Sequence, residues 1–416
     1  MKILQINKFF FLKGGSERYF FDLSELLSQK GHDVVAWSTQ HLNNFSYPKK
    51  NDFAEYSDFS KKEGFWKDFK KIRRIFWNKE AAKKLEKIIQ KEKPDIAHLH
   101  NVFSHFSPSI FYTLKKNKIP IVMTLHDYKM FCPNYKFFSQ GKPCFDCVKK
   151  NNFYSCLSKK CIKNSWSKSF IGYLEGRWQK DFLKISDKID IFLAPSLFIK
   201  RQAIAAGLPS KKIIHLPNFI NKEFLNFSFD KTNHNSSKNY ILYFGRLSKE
   251  KGVEMLIKSF LKLFFKTSKW KLKIVGDGPE KKKLEKMFKK NNQIEFLKKK
   301  SSKELKNLIS QVYLIVVPSI WPENFPYSIL ESMGFKKTVL AAKIGGMPEI
   351  IEHKETGLLF KPNNTLDLTR EINWAINNPK EIRKMGIKSQ KKVLDKYNSE
   401  KHYNRLIKIY EQIKSN

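Results

Sequence analysis

The chain has 416 residues, with 80 lysines and arginines against 39 acidic residues and a formal net charge of +41. That length exceeds one ordinary core and sets a prior of two domains of about 200 residues, each able to bury a core at 41% hydrophobic content. The absence of any apolar run of about 18 residues excludes a spanning helix, and the scarcity of arginine, nine of the basic residues, argues against base-edge recognition, which relies on the planar Arg fork.

The N-terminus, MKILQINKFFFLKGGSE, reads as a first strand and not a signal peptide. Asn7 and Lys8 interrupt its apolar run and no small-residue cleavage site follows, so a cytoplasmic chain is the expectation. Beyond it, short β-branched runs alternate with longer amphipathic ones, the pattern of α/β units around parallel sheets. KILQIN (2–7), DVVAWS (33–38), DIAHLH (95–100), PIVMTLH (120–126) and DIFLAPS (190–196) are predicted strands. SERYFFDLSELLSQKG predicts a helix capped by Ser16 and terminated by Gly31.

Residues 61–95 predict one basic helix with Phe65, Trp66, Phe69, Ile72, Phe76 and Trp77 on one face. That face either covers the sheet or rests on an anionic membrane surface. The stretch 216–239, rich in Pro, Asn and Ser with little periodicity, is the expected linker. After it, YILYFG (240–245), LKIVGDG (272–278), QIEFL (293–297), VYLIVVPS (312–319), KTVLAA (337–342) and TGLLF (356–360) are predicted strands, with helices such as GVEMLIKSFLKLFFK between them and helix from 364 to the end. The expected organisation is an N-terminal domain over 1–215 with an insertion at 131–163, the linker, and a C-terminal domain over 240–397, the helix 398–416 packing back on the first domain. Two doubly wound domains facing each other would place a cleft at the C-terminal ends of their strands.

PENFPYSILESMG (322–334) sets Glu323 and Glu331 around a helix start. Pro326 suits the first turn of a helix, where its missing N–H costs nothing, and the free N–H groups of such a helix start form an anion site. Two carboxylates beside a phosphate repel it unless each binds something neutral. Sugar hydroxyls on either side of a nucleotide-sugar's diphosphate meet that need; an ordinary surface loop is the other reading. In YFGRLSKEKGVEML (243–256), Arg246 and Lys251 bracket a loop at a strand end, a diphosphate clamp or two solvated charges. Gly276 and Gly278 in IVGDGPE, Gly14 and Gly15 in FLKGGSERYF, and the glycine pair of AAKIGGMPEII each allow close backbone approach to a ligand, or simply a tight turn.

Taken together, GGSER, GRLSKEKG, VGDGPE, PENFPYSILESMG and GGMPEII, in this order, resemble the retaining glycosyltransferases of family 4, which have the GT-B fold. The resemblance covers nearly the whole chain. It implies a nucleotide-sugar donor, UDP- or GDP-linked, whose sugar passes to a hydroxyl with its anomeric configuration kept. It places Glu323 beside the transferred sugar and Glu331 on the ribose, Arg246 and Lys251 on the diphosphate with the backbone of Phe325–Ser328, and Gly14 and Gly15 on the phosphate or acceptor side. It also implies a histidine facing the sugar, matched by His126 in TLHDY with Asp127 next to it; His98 and His100 of AHLHN are secondary, one of them lining the acceptor side. No metal is needed for catalysis in this family. A glycan or lipid-linked acceptor fits the basic charge and a peripheral place on the inner membrane face. A soluble sugar or sugar-phosphate acceptor is the alternative, and a basic nucleic-acid-binding protein the alternative from another class.

All five cysteines fall between residues 132 and 161. Cys144-x2-Cys147 has the spacing of a zinc ligand pair that Cys156 and Cys161 would complete to four. A structural metal and reduced packing thiols are the two readings. The insertion follows His126 directly and is expected to shape the acceptor side.

Overall fold

The computed structural model describes residues 1–59, 61–221, 224–225, 239–263 and 269–414. Most of the expected linker, residues 226–238, and the end of GVEMLIKSFLKLFFK lie outside the described residues. The chain divides into two compact units.

The first unit comprises Met1–Gln140, Cys144–Asn218 and His402–Asn416. Its strands are β1 (Lys2–Ile6), β2 (Asp33–Trp37), the short β3 (Thr39–Gln40) and β4 (Ala54–Glu55), β5 (Ile96–Leu99), β6 (Ile121–Thr124), β7 (Phe138–Ser139), then, after β8 (Lys142–Pro143) of the second unit, β9 (Ile191–Ala194) and β10 (Ile213–His215). The six-stranded sheet runs β10-β9-β6-β5-β1-β2 and is parallel throughout. Parallel strands are covered on both faces and read as continuous apolar runs, which is why IVMT and IFLA were visible as strands. β10 was not expected: three residues carry too little pattern.

Three local expectations are corrected. The first helix, Gly15–Gln29, starts at Gly15 with Gly14 before it and has no side-chain cap. The hydroxyl of Ser16 instead accepts from Asn101 Nδ2 at 2.8 Å. The single helix over 61–95 is two, Phe65–Phe76 and Lys79–Glu92. Asn78 breaks it: its side chain accepts from Ala81 N at 3.1 Å and caps the second helix, while its own N–H donates to Ser107 Oγ at 2.8 Å. The second helix buries Ala81, Leu85, Ile88 and Ile89, whereas Phe65, Trp66 and Phe69 of the first are 77%, 80% and 56% exposed. Third, Pro326 precedes the helix Tyr327–Gly334 and does not begin it; its ψ of 120° is extended.

The second unit comprises Gly141–Pro143 and Phe219–Lys401. Its main strands are β11 (Tyr240–Phe244), β12 (Lys271–Val275), β13 (Ile294–Leu297), β14 (Leu314–Val317), β15 (Val339–Ala342) and β16 (Leu358–Phe360), ordered β13-β12-β11-β14-β15-β16 and again parallel. One continuous core of buried aliphatic and aromatic residues fills this unit.

In each sheet the chain reverses its direction of travel once, between β1 and β5 and between β11 and β14. Loops leaving adjacent strands at such a point part to opposite faces, and the crevice at their C-terminal ends is where doubly wound sheets bind ligands.

Candidate active site

In the second unit the loops after β11 and β14 bring Lys251 and Glu323 together. Lys251 Nζ lies 2.6 Å from Glu323 Oε1, and Ser319 Oγ donates to the same oxygen at 2.6 Å. Glu323 is only 6% exposed, so a carboxylate there requires both donors. Lys251 also stands over the Trp321 ring, 5.3 Å from its centroid.

The glycine pair of GGMPEII holds the same glutamate by its backbone. Gly346 N donates to Glu323 O at 2.7 Å, and Gly345, at φ 65°, passes so close that a Cβ would sit 2.2 Å from that carbonyl. The G-x-G after β12 has a related structural reason. A Cβ on Gly276 would lie 1.9 Å from Gly245 O and one on Gly278 2.2 Å from Leu247 O; both glycines therefore let the β12 loop pack against the loop that carries Arg246. Arg246 itself is exposed.

Glu331 is half-buried on the helix Tyr327–Gly334, which lacks a side-chain cap. The side chains of Phe325 and Tyr327 are buried, Phe325 edge-on to Tyr397, so that stretch can offer a ligand its backbone N–H groups but not those rings.

In the first unit the residues at the strand ends are histidines. Alternation along a strand puts His98 and His100 on one face of the sheet, and His126 follows β6 beside them. The rings of His98 and His100 stack at 4.4 Å between centroids and those of His100 and His126 at 5.2 Å. His100 Nε2 is 2.6 Å from Gln5 Oε1, and His100 Nδ1 is 3.0 Å from His126 Nε2.

The hydrogen-bond network assigns the tautomers. With Gln5 Oε1 as acceptor, His100 carries its proton on Nε2, and His126 Nε2–H donates to His100 Nδ1. His126 then keeps a lone pair on Nδ1. His98 lies 2.6 Å from Tyr410 OH and 2.7 Å from Thr124 Oγ1, and Tyr19 OH lies 2.9 Å from His402 Nε2.

Burial depresses all four imidazoles: His126 and His402 to about 3, His98 and His100 well below the ordinary range. They are neutral proton donors and acceptors. Burial raises the neighbouring Asp127, whose Oδ1 accepts from Lys129 N at 2.9 Å.

Gly14 and Gly15 stand at the start of the first helix, one residue from the Ser16–Asn101 bond. The five cysteines gather elsewhere in this unit, around one cavity. Among the described residues no group of three or more His, Cys, Asp or Glu side chains is arranged to hold a metal ion, so the expected set Cys144, Cys147, Cys156 and Cys161 does not stand as a formed ligand set.

Of the residues singled out in the sequence, the structure brings Lys251 to Glu323 and His100 to His126; Ser319, Gln5, Tyr19 and His402, which join these clusters, were not singled out. Only the spacing of His98 and His100 carried a signal, two residues apart on a buried strand.

Two parallel-sheet units, each with polar side chains gathered at its switch point, define a GT-B glycosyltransferase. The chain matches the model of glycosyltransferase family 4 over residues 13–224 and that of glycosyl transferases group 1 over residues 226–392. It is 30% identical to an uncharacterized glycosyltransferase of Methanocaldococcus jannaschii over 83% of each chain. It is also 30% identical, over 38% of its length and 45% of the relative's, to a lipopolysaccharide 1,2-N-acetylglucosaminetransferase of Salmonella typhimurium. Among solved structures, Anabaena HepE in complex with UDP and glucose superposes with a TM-score of 0.66 at 17% identity, covering 99% of this chain and 100% of that one. The chain belongs to glycosyltransferase family 4.

The buried imidazoles set an acid limit on the fold. Their folded pKa values lie below the unfolded value near 6.5, so between about 3 and 6.5 the unfolded chain binds more protons. Stability is fully present above pH 6.5 and falls as the pH drops, each histidine contributing about 1.4 kcal/mol per pH unit. Urea unfolding from pH 4 to 7 should show this slope, and histidine-selective NMR at pH 5 should find these rings neutral.

Removing donors from Glu323 should cost stability in a defined order. Lys251→Ala leaves a nearly buried carboxylate without its cation and should cost about 2 kcal/mol, Ser319→Ala about 1 kcal/mol. Chemical denaturation of the two variants and of the double variant, whose losses should not add, tests the shared oxygen.

Proposed function

We propose that this glycosyltransferase transfers a sugar from a UDP- or GDP-sugar to a hydroxyl of a glycan or lipid-linked acceptor with retention of configuration. The observation that carries the reading is the Lys251–Glu323–Ser319 cluster at the C-terminal ends of β11 and β14. A single carboxylate oxygen holds both donors there, beside an uncapped helix start. The Anabaena relative whose structure contains UDP and glucose supports a nucleotide-sugar donor.

In this reading the diphosphate is met by Arg246, Lys251 and the backbone N–H groups at Phe325, Tyr327 and Ser328, with no catalytic metal required. Glu331 takes the ribose hydroxyls. Glu323 orients the sugar. The bond from the anomeric carbon to the diphosphate oxygen breaks, and the acceptor oxygen bonds to the same face of that carbon. The acceptor proton goes to the departing phosphate oxygen. Positive groups around that oxygen stabilise the charge as it develops. His126, neutral with a lone pair on Nδ1, is suited to accept a hydrogen bond from a sugar hydroxyl.

Glu323→Ala should lower turnover by about a hundredfold or more with the nucleotide-sugar that best raises the melting temperature, while UDP or GDP binding changes little. The product's anomeric proton coupling, read by NMR, should match the donor's configuration. An inverted product, or full activity in the variant, refutes this mechanism.

A membrane-side acceptor draws on the helix Phe65–Phe76. Phe65, Trp66 and Phe69 are exposed there among Lys67, Lys70 and Arg73, and the helix packs against Trp166–Arg177, which exposes Trp166, Phe170 and Leu174. Aromatic side chains flanked by cations suit the interface of an anionic bilayer. Among the described residues no helix is long and apolar enough to cross one. The Salmonella relative named for lipopolysaccharide supports a lipid-linked acceptor. Co-sedimentation with phosphatidylglycerol vesicles at low salt should be lost when Phe65, Trp66 and Phe69 are changed together to serine; equal binding by the triple variant refutes membrane docking through this helix.

A further inference from the structure

The cysteine insertion is unused by the transfer chemistry. Every cysteine of the chain (Cys132, Cys144, Cys147, Cys156 and Cys161) lines one cavity. The free space at its centre is about 10 Å³, room for one small body and too little for a cluster of irons and sulfides.

Regular structure in the segment is short. Beside β7 it contains two helices of about one turn, Asp146–Lys149 and Tyr154–Ser158. Tyr135, Phe137, Gln140, Asn151 and Lys160 all sit at positive φ. Its own apolar cluster is Cys147, Phe153 and Cys156, with Ile162 and Tyr173 against it. So small a core is normally reinforced by a cross-link or a metal.

Donors already face the sulfurs. The N–H groups of Phe137 and Asn134 point to the Cys132 sulfur, and that of Cys156 to the Cys147 sulfur. Lys159 Nζ lies 3.7 Å from Cys144 Sγ. Cys161 Sγ itself donates to Ser139 Oγ at 3.3 Å and to Ser155 O at 3.7 Å, and the Cys156 and Cys161 side chains are hydrogen-bonded to each other. N–H···S and S–H···S contacts of this kind support thiolates and form the outer shell of thiolate metal sites.

We propose that these cysteines bind one thiophilic divalent cation, zinc, through four sulfurs, those of the Cys144-x2-Cys147 pair among them. Cys144, Cys147, Cys156 and Cys161, the set expected from the sequence, and Cys132 all line the cavity. The side chains are not gathered about one point, so binding turns the thiols inward; a change of χ1 well moves a sulfur by about 3 Å. Each thiol gives up its proton on binding, and four thiolates around one zinc leave a charge of −2 beside Lys159. Four sulfur ligands close the coordination shell, so the site is structural.

The full chain, purified without chelator and without a metal-affinity step, should carry about one zinc per chain by mass spectrometry of metals. The double variant Cys144→Ser/Cys147→Ser, with three cysteines left, should lose it. Because this variant can fail to fold, the wild type is also exchanged with Co2+. Thiolate-to-cobalt charge-transfer bands with tetrahedral d–d bands, abolished by excess zinc, support the site. Wild-type protein that carries no zinc and takes up no cobalt overturns the proposal, as does iron accompanied by sulfide. Zinc retained in the folded double variant overturns the ligand set.

Discussion

A carboxylate taken out of water has to be matched by donors, and the second unit is arranged around that constraint at Glu323. Its side chain is answered by Lys251 and Ser319 and its carbonyl by Gly346. These partners come from the loops after β11, β14 and β15, so Glu323, through its side chain and its backbone together, ties three strand ends to one another. The glycines nearby follow from the same crowding. Gly345 is needed because the backbone of Glu323 leaves no space for a side chain, and Gly276 because the loop before Arg246 is equally close. A motif that looks like ligand binding is, in this chain, first a matter of loops packed on loops.

The first unit meets a different constraint with different chemistry. Its strand ends bury imidazoles, which are cheap to bury only when neutral and hydrogen-bonded. Gln5, Thr124, Tyr19 and Tyr410 supply the partners, and the last helix of the chain contributes His402 and Tyr410 to them. A neutral histidine at the head of such a chain is a fixed hydrogen-bonding group with a defined tautomer. Its orientation is determined several residues away, by an amide on β1. The formal charge of +41 therefore says little about either strand-end cluster, which consists of one ion pair in the second unit and a set of uncharged rings in the first. It is relevant to the exposed surface, above all to the helix Phe65–Phe76.

Much of the fold was legible because parallel strands are written as unbroken apolar runs; all six C-terminal strands and five of the six in the N-terminal sheet were visible this way. The glutamates and glycine pairs were legible by their order along the chain. The misplaced caps have one physical cause. Ser16 is a good cap by type, but Asn101 competes for its hydroxyl from 85 residues away, and the helix over 61–95 breaks because Asn78 is bonded to Ser107. Local propensity is outweighed when a tertiary partner takes the same polar atom.

By itself, then, the sequence determined the two α/β units, their strand positions and the family, since these depend on local periodicity and on motifs read in order. Tertiary structure alone decided which polar atoms meet. The Lys251–Glu323 pair spans 72 residues, and the Gln5–His100 bond spans 95. Nothing in the intervening chain encodes such a contact. It exists because parallel β–α–β connections return each strand beside an earlier one with the same end facing forward, and so collect distant loops at one edge of the sheet.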